Sequence, residues 1–215
     1  MDEHITLELT GQMTGAAAIP ETDPATWHRR LCVVGDRIVV SGDLHIEEEL
    51  AVTALRTWQD TGITGVVDCR EEWSDEELVR RLAPEIGYCH VGIDDDGSRR
   101  PDTWFDDGTA GALELLDRTD GQVLVHCHMG INRGPSMAYA VLLRLGWDHL
   151  DALDAIRSAR PIAALIYAED AASWWARRNG VTDAAADAMC QDVRDWHRVN
   201  GVDAAQAMRR IRSTS

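Results

Sequence analysis

A thiol, a glycine turn and a guanidinium lie within one short stretch of this sequence. Residues 123–136 read VLVHCHMGINRGPS: a β-branched run ends at Cys127, Gly130 interrupts the loop that follows, and Arg133 stands six residues beyond the thiol. An apolar helix pattern then begins at once. In such a strand–loop–helix the loop amides and the helix N-terminus point inward and make a concave anion site. Thiols in that field, or beside cations, ionise well below the roughly 8.5 of free cysteine. Arg133 adds a planar fork able to grip two oxygens of a phosphoryl group, and Gly130 the conformational freedom of a tight turn. Together the residues describe a nucleophile, Cys127, beneath a phosphate cradle formed by His128, Met129, Gly130, Ile131, Asn132 and Arg133.

Two imidazoles flank the thiol. Alternate strand residues face opposite sides, so His126 and His128 share one side without Cys127. The arrangement therefore predicts no metal site and no cofactor, and assigns His126 to orienting the loop by hydrogen bonding. Three adjacent carboxylates, Asp94, Asp95 and Asp96, follow the run YCHVGI; one of them could donate a proton while the others solvate a turn. Arg99 and Arg100 beside them are either solvated or a basic rim, and Trp104, Trp174 and Trp175 are either core anchors or pocket lining.

The elements that must position these groups follow from periodicity and capping. Residues 1–30, with Pro20 and Pro24, read as a loosely organised arm. LCVV-GD-RIVV (31–40) predicts a hairpin. A helix over 47–60 opens on three glutamates, and ITGVVDC (63–69) is a buried strand. Ser74 and Glu77 form a capping box for a helix through Arg81. Strands over 88–93 and 122–127 enclose a helix over 102–118, and a helix buried on all sides starts near Gly134. Asp148 caps 149–159, a helix covers 168–179, Thr182 opens one reaching about Val199, and Asp203 starts a short last one. Strands alternating with helices imply an α/β layered fold followed by a helical C-terminal third.

Charge narrows the partners. Against 37 acidic residues stand 21 basic ones, all Arg, for a net charge of −16. Repulsion on that scale excludes nonspecific binding to nucleic acid or anionic membranes. The longest uncharged runs, 10–20 and 134–143, fall short of the roughly 18 apolar residues of a membrane span, and the acidic first residues do not resemble a secretory leader. Five cysteines, Cys32, Cys69, Cys89, Cys127 and Cys190, without a C-x-x-C pair, cannot form a fully paired disulfide framework. A reducing cytoplasm is the expected setting.

HCHMGINR matches the HCxxGxxR signature of the cysteine-dependent protein-tyrosine and dual-specificity phosphatases. Asp95 lies 32 residues before Cys127, directly after a strand, where those enzymes carry their general acid. VGIDDDG is similar to the equivalent loop of the phosphatase-of-regenerating-liver group. RIVVSGDL with GITGVVDCREEW resembles the opening of dual-specificity phosphatases, and AIRSARPI (155–162) the end of the helix pair after their catalytic helix. The resemblance covers roughly residues 31–175. It implies a protein-tyrosine-phosphatase-like fold with a mostly parallel central sheet flanked by helices. It divides the chain into an arm at 1–30, a catalytic domain at 31–180 and a helical C-terminal extension at 181–215.

The chemistry implied is hydrolysis of a phosphate monoester, on a phosphoprotein or a small ester, through a phosphocysteine: Cys127 as nucleophile, Asp95 as acid and then base, the loop amides and Arg133 on the phosphoryl oxygens. A phosphate-binding module without turnover is the alternative. The family places a Ser or Thr hydroxyl after the arginine to help the thiolate depart; Gly134 stands there instead, which implies slow phosphocysteine breakdown and a gain in turnover from Gly134→Ser. Ser136 is the nearest substitute. In the regenerating-liver group a cysteine at the matching strand end pairs reversibly with the nucleophile, which makes Cys69 the implied redox partner, with Cys89 competing.

Overall fold

The computed structural model describes residues 23–214. Alternating valines and leucines build the centre: a five-stranded sheet in the order β1-β2-β5-β3-β4. Its strands are β1 (Cys32–Val34), β2 (Ile38–Ser41), β3 (Ile63–Arg70), β4 (Gly87–Ile93) and β5 (Gln122–His126). All neighbours pair in parallel except the β1–β2 hairpin. Successive residues point to opposite faces. Val123 and Val125 accordingly enter one core with Val40, Val67 and Cys69, while Leu124 enters the other with Val39 and Val66.

Helices α1 (Glu48–Asp60) and α2 (Glu76–Leu82) cover the second face. The first is covered by α3 (Asp102–Arg118), α4 (Arg133–Arg144), α5 (His149–Ala159), α6 (Ala168–Arg178) and α7 (Asp183–Asn200), and α8 (Ala204–Arg212) ends the chain. Helix α4 is buried from Arg133 to Leu143, as its all-round apolar pattern requires. Asp148, Thr182 and Asp203 accept backbone N–H bonds at the starts of α5, α7 and α8. No helix among the described residues is long and apolar enough to cross a membrane.

Two expectations about local structure change. Ser74 does not form the capping box with Glu77: its hydroxyl accepts the Glu76 N–H at 3.2 Å, and α2 begins at Glu76 with Asp75 before it. The arm reading lies outside the described residues up to position 22, but residues 23–30 are packed. A 3₁₀ turn over Pro24–Trp27 delivers a buried His28 whose carbonyl accepts the Gly42 N–H at 2.8 Å. Met189, Val193 and Trp196 of α7 join the main core.

At the end of β3 a buried ion network fixes the segment that leads to α2. Asp68 accepts from Arg70 Nε and Nη2 (2.8 and 2.7 Å) and from the Tyr88 hydroxyl (2.6 Å), while Arg70 Nη2 also reaches Asp75 at 2.6 Å. Burial alone pushes the Asp68 carboxyl up, but the facing His126, Arg70 and Tyr88 pull it down to about 2. A carboxylate lowered from 3.8 to about 2 contributes about 2 kcal/mol of stability, complete above pH ~4 and lost as pH falls through ~2. Asp68→Asn leaves the buried Arg70 guanidinium with Asp75 and the more distant Asp43 as its only carboxylates among the described residues, so the variant should be about 2–4 kcal/mol less stable near pH 5. The gap to the parent protein should shrink by about 2 kcal/mol on acidification toward pH 2. Urea unfolding of both proteins across that range reads the difference; a constant gap would deny the network this role.

Candidate active site

Strand β5 carries the chain to Cys127, which sits 2 % exposed at the floor of a cleft of about 650 Å³. Residues 127–133 curl from the strand end into the N-terminus of α4. Gly130 takes φ 62°, and a Cβ there would stand 2.4 Å from Arg160 and 2.5 Å from the Ser41 carbonyl, so only glycine fits this turn. The loop carbonyls point away from the cleft and are held from behind. Buried Arg160 donates to Gly130 O (2.5 Å), Met129 O (3.0 Å) and His28 O (3.1 Å). The family-like RP segment thus contributes a brace beneath the loop.

Arg133 is 2 % exposed and its five N–H donors divide into two sets. Nη1 donates to Glu72 Oε2 and to the Ile93 carbonyl (both 2.8 Å), and Nη2 to Glu72 Oε1 at 2.7 Å. The end-on fork of the guanidinium is therefore occupied by Glu72. What remains is the side edge: Nε, which has no hydrogen-bond partner among the described residues, and the second hydrogen of Nη2. That edge is still a two-donor fork for an oxyanion. Burial pulls the guanidinium's basicity down, but the bonds to Glu72 outweigh it and the group stays above its ordinary value. Glu72, correspondingly, is pushed up by burial and brought below the usual carboxylate range by Arg133.

Of the three adjacent acids, Asp95 is the one tied to the loop. Its Oδ1 accepts from Asn132 Nδ2 at 2.6 Å and from the Tyr167 hydroxyl at 2.8 Å. Its Oδ2 accepts no hydrogen bond from the described residues and lies 3.6 Å from Arg133 Nε. One oxygen is anchored; the other stands beside the side edge of Arg133. Asp96 instead turns outward to Ser98 and Arg100, whose hydrogen bonds bring it down to about 2. Arg100 also donates to the Asp94 carbonyl at 2.7 Å and stacks 4.5 Å over the Tyr167 ring. It clips the acid loop in shape and is no free rim cation, while Arg99 pairs with Asp170 at 3.1 Å.

Two expected helpers do other work. Neither ring nitrogen of His126 has a hydrogen-bond partner among the described residues; Nε2 stands 3.8 Å from Asp68 and the ring lies 6.1 Å from Trp58. His126 fills space under the loop and does not orient it by hydrogen bonding. Ser136 is spent between Asn132 Oδ1 and the Tyr167 N–H, both at 3.3 Å, so its hydroxyl is engaged behind the loop.

His128, lining the cleft, donates from Nδ1 to Asp43 Oδ2 at 2.7 Å, and His28 Nε2 lies 3.3 Å from the other oxygen. These three residues form the one cluster among those described whose donor atoms could surround a cation, all within 4.8 Å. Asp43 already meets Arg29 at 3.0 Å and Arg70 at 3.8 Å. Burial raises the Asp43 carboxyl, yet His128, His28 and Arg29 together hold it far below the usual range. Such a cationic surround suits a bracing carboxylate better than a metal ligand.

Gly134 is set by sterics. A Cβ on it would stand 2.9 Å from His126 C and 3.0 Å from Cys127 N, so α4 approaches the strand end too closely for a side chain. The hydroxyl gain expected from Gly134→Ser gives way to a clash with backbone that carries the nucleophile. The variant should lose about 1–3 kcal/mol and turn over no faster than the parent, as urea midpoints and burst kinetics on an aryl phosphate will show. An accelerated steady state would contradict this.

Parallel register pairs Asp68 with His126, which puts Cys69 level with Cys127 on the next strand and the same face. Cys89 pairs with Val67, two residues back. Register thus favours Cys69 over Cys89 as the thiol nearest the nucleophile, though burial, then the Cys127 charge, pushes the Cys69 thiol well up. Trp104, Trp174 and Trp175 are anchors in the helix layer, their Nε1 groups on Val91 O, Asp106 and Leu143 O.

No family model and no curated protein matches the sequence. Solved structures do match. Human DUSP28 superposes with a TM-score of 0.56 at 21 % identity, covering 69 % of this chain and 95 % of that one. A mouse putative dual specificity phosphatase complexed with zinc tungstate gives 0.56 at 22 %, covering 70 % and 91 %, and PTPMT1 in complex with PI(5)P gives 0.52 at 18 %, covering 71 % and 99 %. Nearly the whole of each neighbour is thus contained here, and the chain has the α/β fold of the dual-specificity phosphatases.

Proposed function

We propose that the protein is a cysteine-dependent phosphatase that hydrolyses phosphate monoesters, phosphotyrosine and other phosphorylated side chains of proteins first among them. The observation that carries this reading is the half-anchored Asp95, its Oδ2 3.6 Å from Arg133 Nε in the cleft that Cys127 also lines. The sulfur attacks phosphorus in line, the ester P–O bond breaks, and the leaving oxygen takes the proton from Asp95. A water molecule then gives a proton to the Asp95 carboxylate and its oxygen to phosphorus, releasing inorganic phosphate and the thiolate. The loop amides with Arg133 Nε and Nη2 carry the equatorial oxygen charge throughout, where phosphoryl transfer concentrates it. No step calls for a metal. Five free cysteines fit a reducing, cytoplasmic setting.

The second reading, phosphate binding without turnover, draws on Gly134 and its missing hydroxyl. Steady-state release of phosphate from p-nitrophenyl phosphate in the presence of a chelator separates the two. Sustained turnover is expected; saturable binding of vanadate with no phosphate release would favour the binding module.

A further inference from the structure

Helix α8 supplies a wall of the cleft. Ala204, Met208 and Arg212 recur every fourth residue and all line it, as one stripe of a helix must. The neighbouring positions Ala207 and Ile211 pack with Met129 and Ile131 of the phosphate loop, and Arg210 is tied to Asp23. The helix is held on two faces while its third looks into the cleft. Arg212 is exposed and makes no hydrogen bond or ion pair with a side chain among the described residues. Apart from Asp94, an exposed carboxylate, the other charged groups of the cleft are spoken for. Glu72 holds Arg133, Asp96 holds Arg100, and Asp95 is anchored on Asn132 and Tyr167.

The dimensions point beyond a lone phosphate. From Ala204 to Arg212 the wall runs about 12 Å, and the roughly 650 Å³ of the cleft is the size that houses a whole small ligand. Met129, Ile131, Ile166, Ala204 and Met208 make much of the lining apolar. The phosphate cradle is complete without Arg212, so this cation is spare for something else.

Resting on the phosphatase reading, we propose that the cleft takes a phosphate monoester whose leaving group has an apolar, ring-sized body and carries a second anionic group bound by Arg212. α8 is then the element that selects substrate.

The test uses the full chain and two phosphate esters with the same phenyl body, 3-(4-phosphonooxyphenyl)propanoate and its methyl ester, in which a methyl group replaces the second negative charge. The parent protein should favour the carboxylate about threefold to fivefold in kcat/KM, the scale of one exposed ion pair. Arg212→Gln should bring that ratio to about one through KM, and Arg212→Lys should keep part of it. A parent ratio near one, a ratio untouched by Arg212→Gln, or an equal loss on both esters (which would assign Arg212 to the scissile phosphate) would each overturn the proposal. If neither ester is cleaved in a Cys127-dependent way, the phosphatase reading itself falls, and that result is distinct from the other three.

Discussion

Cys127→Ser is expected to abolish hydrolysis of p-nitrophenyl phosphate, with a loss on the order of 10⁴-fold or more, while phosphate or vanadate still binds. A hydroxyl in place of the thiol keeps the volume and leaves the loop amides and the Arg133 edge intact. It is, however, un-ionised at neutral pH and no base stands beside it: His126 has no hydrogen-bond partner among the described residues and His128 is turned to Asp43. The contrast between lost turnover and kept binding is the diagnostic part. Retained activity in the serine variant would mean that water attacks phosphorus directly and that the thiol is a packed cysteine only.

Asp95→Asn should slow the reaction by about 10²–10⁴-fold on esters with poor leaving groups, such as alkyl phosphates. On p-nitrophenyl phosphate, whose leaving oxygen needs little protonation, the loss should be much smaller. The substitution keeps the acceptor for Asn132 and Tyr167 but removes the proton that Oδ2 would deliver. Tyr167→Phe deletes one of the two donors on Oδ1 and should show the same dependence on leaving group, weaker in size. A loss equal across all leaving groups would move Asp95 from proton transfer to loop architecture.

How much of this was legible in the sequence depended on distance along the chain. Cys127, Gly130 and Arg133 fall inside seven consecutive residues, so strand, turn and helix signals located them together. Helix starts at Asp148, Thr182 and Asp203 were equally readable because a cap acts within three residues. Asp95 was set apart from Asp94 and Asp96 only by the resemblance, which implies an acid after a strand end at that spacing from the thiol.

Partners folded in from far away left no such trace. Glu72 reaches Arg133 across 61 positions and Tyr167 reaches Asp95 across 72; each looks like an ordinary surface or core residue until the sheet is assembled. His126 misled because a histidine beside a nucleophile suggests hydrogen bonding, whereas full burial next to Trp58 gives it none. Gly134 misled because composition shows a missing hydroxyl but not the strand end 2.9 Å away. Helix α8 was readable as a helix, yet nothing local shows that its Ala204–Met208–Arg212 stripe borders the loop of β5.

The most direct measurement is a rapid acid quench of the wild-type protein during turnover of an aryl phosphate, followed by peptide mapping. The account predicts one phosphoryl group, on the sulfur of Cys127, accumulating before steady state and vanishing when substrate runs out. Turnover with no phosphorylated peptide, or with the phosphoryl group on His126 or His128 instead, would contradict it.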